Sequence, residues 1–197
     1  PSGETLLYTY TVEHPLTGAR HNPCAPDADG LAMGFPLSGI WTPTGEHLPS
    51  EDAFSLTCTS GASAKCVRMG YKPWKTADNG TPLWLYHQAC VRMVRADYCG
   101  DGRGHTREGV QINVYDRLAI QVADPSPTMT FEAAWGADGA VCVHKVRVPE
   151  AVSLDTLVRA CPERLAGKIG PDCTEKAALR SDDALIMNAS GSPQTGP

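Results

Sequence analysis

The residues best equipped for chemistry stand together in one run, Asp97-Tyr-Cys-Gly-Asp101-Gly-Arg103-Gly-His105-Thr106. Two carboxylates, a guanidinium, an imidazole and a hydroxyl share a segment that its glycines allow to turn tightly. Asp97 and Asp101 are the oxygen donors such a loop would offer a calcium ion, and Asp101 paired with His105 would serve acid–base catalysis. The plainer reading is structural: Asp97 accepts hydrogen bonds from amides of the turn, while Arg95 or Arg103 pairs with a nearby carboxylate. Just upstream, His87 and Cys90 are one helical turn apart, the spacing of a thiolate–imidazole pair. A disulfide at Cys90 would leave His87 a structural residue. The catalytic candidates are therefore His87, Asp97, Asp101 and His105. No serine-nucleophile elbow, phosphate-binding loop, dinucleotide fingerprint or H-E-x-x-H motif occurs, so no cofactor is implied.

Aromatic residues are the other candidates for function. Trp41, Trp74, Trp84 and Trp135, with Tyr71 and Tyr86, would suit a glycan or a partner protein, although most tryptophans of a domain this size pack in its core. Trp74 is the exception, because a Lys-Pro-Trp-Lys loop is awkward to bury. Trp74, Tyr71 and Arg103 are the expected binding residues.

The element that must position the charged loop is a helix from Thr81 to Tyr98. Thr81 is a good N-cap, and Pro82 suits the first helical position. Leu83, Tyr86, Cys90, Met93, Val94 and Asp97 recur at helical spacing on one face, with Arg92 and Arg95 projecting elsewhere. The glycines from Gly100 onward end it. Thr5–Val12 alternates as a strand. Leu31–Trp41, punctuated by Gly34, Pro36 and Gly39, reads as an interrupted edge strand. Phe54–Cys58 and Ala64–Gly70 read as a hairpin, with Cys58 and Cys66 loosely paired across it. Asp27-Ala-Asp29-Gly30 reads as a plain turn. Val110–Tyr115 and Leu118–Val122 read as neighbouring strands, and Met129–Trp135 and Ala140–Val148 as a hairpin about Asp138-Gly139. Turns are expected at Thr42–Gly45 and after Asp124. Short helices follow at Ser153–Ala160 and Thr174–Leu179, and the tail from Gly191 to Pro197 reads as disordered. The class is α+β, with a mostly antiparallel sheet, one central helix and short C-terminal helices. Residues 1–190 read as one domain.

The chain has 197 residues, 42% of them hydrophobic and 20% charged, which suits a globular domain with its own core. A net charge of −5 argues against nucleic-acid binding, which needs a basic face. No apolar run is long enough to cross a bilayer. Eight cysteines, at positions 24, 58, 66, 90, 99, 142, 161 and 173, include no C-x-x-C pair, which zinc knuckles and thioredoxin-type sites require. Cys24, Cys58, Cys66, Cys90, Cys99, Cys142, Cys161 and Cys173 are expected to form disulfides, in any of about 105 pairings. An extracytoplasmic location follows. The opening Pro1-Ser2-Gly3-Glu4 has no signal-peptide character, as expected of a mature or trimmed chain. Asn79-Gly-Thr and Asn188-Ala-Ser are glycosylation sequons only if the source glycosylates.

Three segments carry a family resemblance: Gly61 to Trp74 (GASAKCVRMGYKPW), His87 to Gly102 (HQACVRMVRADYCGDG), and Phe-Glu-Ala-Ala-Trp with Gly-Ala-Val-Cys between Phe131 and Cys142. The sequence resembles the bacterial ADYC-domain proteins, named for the tetrad found here as Ala96-Asp97-Tyr98-Cys99, over about Leu31 to Ser190. The resemblance implies an exported protein, often lipoprotein-like, with a lipid anchor on the precursor, and implies no particular chemistry. Together these readings favour a disulfide-stapled, non-enzymatic binding or assembly module. Its partner would be a protein or glycan at the cell surface. The alternative is a small secreted hydrolase or transferase working from the Asp97–Thr106 loop.

Overall fold

The computed structural model describes residues 6–42, 44–124, 126 and 128–191. Thr5, the prolines at 43, 125 and 127 in two expected turns, and the expected tail 192–197 lie outside the described residues. The chain folds as α+β. Its strands are β1 (Val12–Glu13), β2 (Arg20–His21), β3 (Gly34–Ser38), β4 (Ile40–Trp41), β5 (His47–Leu48), β6 (Phe54–Cys58), β7 (Ile112–Asp116), β8 (Met129–Gly136), β9 (Gly139–Val143) and β10 (Ile186–Gly191). Its helices are α1 (Ala62–Arg68), α2 (Leu83–Arg95), α3 (Leu154–Ala160), α4 (Pro162–Leu165) and α5 (Glu175–Ala178).

Four strands form an antiparallel sheet in the order β7-β10-β8-β9. Alternation along its strands creates two buried faces. Ala133, Trp135, Val143 and Ile186 join the cluster around α2, whereas Ala134, Cys142 and Met187 pack with Cys173, Ala178 and Ala184 on the other side. The sheet is thus an inner layer, with α2, α3 and α4 packed in the cluster of one face and the segment around α5 on the other. Helix α1 packs beside α2, and the Cys66–Cys90 disulfide joins them. The N-terminal third is built differently, from three separate two-stranded ribbons: β1–β2, β3–β6 and β4–β5.

All eight cysteines are bridged, as Cys24–Cys58, Cys66–Cys90, Cys99–Cys161 and Cys142–Cys173. The expected Cys58–Cys66 pairing is replaced because Ala62–Arg68 is a helix, which turns Cys66 toward α2. The segment Ala-Ser-Ala-Lys-Cys-Val-Arg is rich in helix formers, and Ala64 and Val67 place an apolar stripe at helical spacing.

Other expectations need correction. Pro82 is the N-cap of α2 in extended backbone, so Thr81 does not cap it, and the helix stops at Arg95. Leu118–Val122 is no strand, because Asp116 gathers the chain into a turn: Oδ1 accepts the Leu118 N–H at 2.7 Å and Oδ2 the Gln121 N–H at 2.7 Å. Of the expected strand Thr5–Val12, only Tyr8, bridged to Gly34 at the start of β3, and Val12, paired with His21, have strand partners among the described residues. Gly191 belongs to β10, paired with Met129, and is not the start of a loose tail. The Asp27 turn is as expected, its Oδ1 accepting the Asp29 and Leu31 amides at 3.0 Å each.

Strand β10 was not anticipated, yet it is an inner strand paired on both edges. A chain ending at Glu150 loses this strand and leaves Cys99 and Cys142 without partners. Such a truncation should give no cooperative unfolding transition and no dispersed amide spectrum. A folded 1–150 fragment would show that the sheet closes without β10.

Candidate functional site

The Ala-Asp-Tyr-Cys tetrad begins where α2 ends. Ala96 takes the left-handed conformation, at φ 52°. Its N–H donates to the Met93 carbonyl, and the Asp97 N–H donates to the Arg92 carbonyl. These are the two bonds of a Schellman motif, in which glycine is usual at the left-handed residue. Alanine stands there with its methyl fully buried in the core.

Asp97 is fully buried, and its Oδ2 receives Arg92 Nη1 at 2.7 Å and the Gly102 N–H at 2.9 Å. Arg92 is equally enclosed, because its guanidinium also donates to the carbonyls of Thr44 and Ala137, and it does not project to solvent as its charge suggested. Tyr98 is buried with its ring stacked on Trp135, centroids 5.2 Å apart. Its hydroxyl donates to Glu132 Oε1 at 3.1 Å and accepts the Arg147 N–H at 2.8 Å. Burial and the Glu132 charge push that phenol well above its ordinary pKa, so it stays neutral and able to donate. Cys99 completes the tetrad through its bridge to Cys161.

Tyr98 leads into a second enclosed ion pair. Arg147 donates from Nε and Nη2 to the two oxygens of Glu132, at 3.0 Å each, a bidentate arrangement. Its remaining donors reach the carbonyls of Met93 and Val94 in the last turn of α2, and the hydroxyl of Thr106. Glu132 Oε2 also accepts from Asn188 Nδ2 at 2.9 Å, and Asn188 Oδ1 accepts from the Trp135 indole at 2.8 Å. The Asn188 side chain is therefore sealed in the sheet, while Asn79 lies exposed in a turn.

The glycines of the loop serve close packing. Gly100 has φ +74°, and a Cβ there would lie 1.8 Å from the carbonyl oxygen of Asp138 in the β8–β9 turn. The Tyr98 carbonyl accepts the Ala140 N–H beside it. Beyond this contact the candidate residues diverge. Asp97 faces inward onto Arg92, whereas Asp101 is exposed, its Oδ1 accepting the Arg103 N–H at 2.9 Å. His105 lies over Tyr98, ring centroids 6.1 Å apart, and its N–H donates to the Arg95 carbonyl. Among the described residues no group of three or more His, Cys, Asp or Glu could hold a metal ion.

His87 and Cys90 do not form a catalytic pair, because Cys90 is bridged. The His87 ring is fully buried, with Nδ1 2.8 Å from the Tyr71 carbonyl oxygen. Of the expected binding residues, Trp74 and Arg103 are exposed. Tyr71 is enclosed instead, its hydroxyl donating to Asp116 Oδ2 at 2.8 Å, and it cannot meet a ligand at the surface.

The open apolar surface lies elsewhere. Among the described residues, ten of the thirteen exposed large hydrophobic side chains fall between Leu6 and Leu56. On the outer face of the β3–β6 ribbon, Pro36 stands opposite Leu56, and Ser38 opposite Phe54. Phe54 is 63% and Leu56 60% exposed. With Tyr8 and Tyr10 these residues line a groove of about 560 Å³. No motif marks these residues. The signal available in the sequence was the alternation of aromatic and β-branched residues from Leu6 to Val12.

A family model described as the ADYC domain matches residues 1–149, and the chain belongs to that family. No curated protein and no solved structure matches it. The match stops short of β10, of Asn188 and of the partners of Cys99 and Cys142, all of which the fold uses.

The buried pairs make a sharp contrast between the two loop aspartates. Asp97→Ala strands the Arg92 charge and should cost about 3–5 kcal/mol, whereas Asp101→Ala should stay within about 0.5 kcal/mol. Urea unfolding measures both, and equal effects would contradict the burial of the first.

Burial also holds the His87 imidazole down to a pKa of about 4. The unfolded chain takes up a proton near pH 6.5 that the folded chain refuses until about pH 4. The stability contributed by the neutral ring is therefore complete above pH 6.5, is lost as pH falls from there to about 4, and changes no further below. The loss amounts to about 3 kcal/mol. Comparing urea unfolding of the protein and its His87→Gln variant across that window isolates this slope from those of the carboxylates. Parallel pH profiles would disprove it.

Proposed function

We propose that this chain is an extracytoplasmic binding module that recognises an extended, apolar polypeptide segment with the outer face of its β3–β6 ribbon. The observation that carries this reading is the concentration of exposed large apolar side chains in the N-terminal third, where Tyr8, Phe54 and Leu56 line one groove. Apolar patches of this kind on a soluble domain mark interaction surfaces. The backbone supports the same reading. Two-stranded ribbons are marginal alone, and a third strand supplied by a partner would extend one by main-chain hydrogen bonds.

Four disulfides support an oxidising compartment, and no helix among the described residues is long and apolar enough to cross a membrane. A hydrolase or transferase working from the Asp97–Thr106 loop has less behind it. Asp97 Oδ2 is committed to Arg92 and Gly102, Thr106 receives Arg147, and Asp101 turns toward Arg103.

A combinatorial peptide array provides the test. Peptides retained by the protein should be extended and apolar, and the double variant Phe54→Ser/Leu56→Ser should bind them at least tenfold more weakly, about 1.4 kcal/mol. Its unfolding free energy should change little, since both side chains are more than half exposed. Retention unaffected by the double substitution would refute the assignment, as would a hydrolytic activity abolished by Asp101→Ala.

A further inference from the structure

The β3–β6 ribbon has two edges, and its own hydrogen bonds decide which of them a further strand can join. The Gly34 N–H donates to the Tyr8 carbonyl and the Tyr8 N–H to the Gly34 carbonyl, so both main-chain groups of Gly34 point away from β6. Residue pairs of an antiparallel ladder alternate between hydrogen-bonded and non-bonded. Gly34 and Cys58 are thus a non-bonded pair, and so are Pro36 with Leu56 and Ser38 with Phe54. Pro36 agrees with this register, since a residue without an N–H stands where β6 asks for no donor. The outward positions of β3 are therefore closed. Tyr8 occupies Gly34, Pro36 has no donor, and the Ser38 carbonyl accepts the Trp41 indole at 3.1 Å. Those of β6 are open: the main-chain groups of Phe54 and Leu56 point off the ribbon and have no hydrogen-bond partner among the described residues. Phe-Ser-Leu-Thr-Cys also carries no charge or proline to discourage pairing.

A second cavity, of about 220 Å³, meets this edge from the inner face, where Ser55, Leu56 and Thr57 line it in succession. Side chains alternate along a strand, so three consecutive residues border one cavity only where it reaches the strand's edge. Leu56 thus belongs both to this cavity and to the apolar groove of the outer face. The two hollows differ in character. Thr57 and Ser63 bring hydroxyls to the inner one, and among the described residues its one charged side chain is the half-buried Arg95 at the end of α2. We propose, resting on the binding reading above, that the partner segment adds as a strand to the Phe54–Leu56 edge of β6 and alternates apolar with acidic side chains. Residues of the added strand that share a face with Phe54 and Leu56 extend the apolar groove, and those between them face Arg95, Thr57 and Ser63. A guanidinium and two hydroxyls all donate to a carboxylate, whereas a lysine there meets like charge.

Short synthetic peptides that alternate valine with glutamate, or valine with lysine, test the pattern by fluorescence anisotropy. The glutamate peptide should bind at least about tenfold more tightly, and Arg95→Gln should abolish that difference. Strand pairing is read on the unmodified protein from the peptide backbone. N-methylation of one alternate set of its amides should abolish binding, and N-methylation of the other set should leave it intact. Leu56→Pro removes a donor from the edge without breaking a bond of the ribbon, as Pro36 does on β3, and should weaken binding at least about tenfold beyond Leu56→Ala. Binding that is equal whichever set is methylated would overturn the pairing and leave the groove reading standing. Equal affinity for the glutamate and lysine peptides would overturn the acidic preference in the same way. Dimers of the protein that Leu56→Pro dissolves would give the edge to a second copy and overturn the assignment, and a protein that binds no extended apolar peptide would overturn both readings.

Discussion

The fold depends on two guanidinium groups held out of water at the same end of one helix. Arg92 belongs to α2 itself, and Arg147 arrives from the chain that follows β9. The last carbonyls of a helix have no partners within it and carry its partial negative charge. Arg147 satisfies those of Met93 and Val94 while both Glu132 oxygens neutralise it. Taking a charge out of water is costly, and the cost is offset only when geometry is good and nearly every donor is met. Arg147 meets that condition with five hydrogen bonds from its side chain. The end of α2, the inner strands β8 and β10, and the turn after the helix are thereby fixed to one another. Tyr98, whose hydroxyl sits between Glu132 and the Arg147 backbone, is the hinge pin of that junction.

The two ends of the chain stand in different relation to this junction. The C-terminal segment is part of it: Asn188 touches Glu132, and Cys161 and Cys173 bridge back to the tetrad and to β9. The N-terminal third is fastened more lightly. Cys24–Cys58 closes its long loop, and Arg68 of α1 grips Asp27 at 2.6 Å, which with the Leu31 and Asp29 amides holds that carboxyl down to about 2. Its own apolar cluster is small, formed by Phe35, Leu37, Ala64 and Val67 against Trp41. A rigid, cross-linked body thus carries a thinner layer whose outward face is apolar.

Much of the body was legible in the sequence. The period of Leu83, Tyr86, Cys90 and Met93 marks α2, and Asp138-Gly139 marks the β8–β9 turn. Scattered cysteines indicated disulfides without indicating which. The misreadings share a physical cause, namely that local pattern reports the solvent a residue would choose and not the partner it finds. Arg92 looks like a surface charge because its acceptors are a distant carbonyl and a residue beyond the helix. Strand β10 escapes notice because Asn188 and Ser190 sit where an ordinary strand would be apolar, and both sheet faces around it are covered. Ala62–Arg68 is too short for its period to declare itself, and α2 decides the matter through Cys66. Of the candidate site, the tetrad loop was found and the exposed groove was not, since its residues come from three segments that only folding brings together.

The signature for which the family is named is occupied by architecture: Ala96 closes a helix, Asp97 answers Arg92, Tyr98 joins the buried network, and Cys99 is bridged. Side chains so enclosed cannot discriminate among ligands, because recognition needs groups that exchange water for the ligand. In this chain the tetrad therefore serves the frame. Under the binding reading proposed above, a face held at Cys58 by its disulfide loses little freedom when a partner orders it. The alternation from Leu6 to Val12, which finds almost no strand to pair with, is intelligible in those terms. It has the pattern of a sheet edge, and in the proposed mode of binding its Tyr8 and Tyr10 border the groove that a partner segment would occupy.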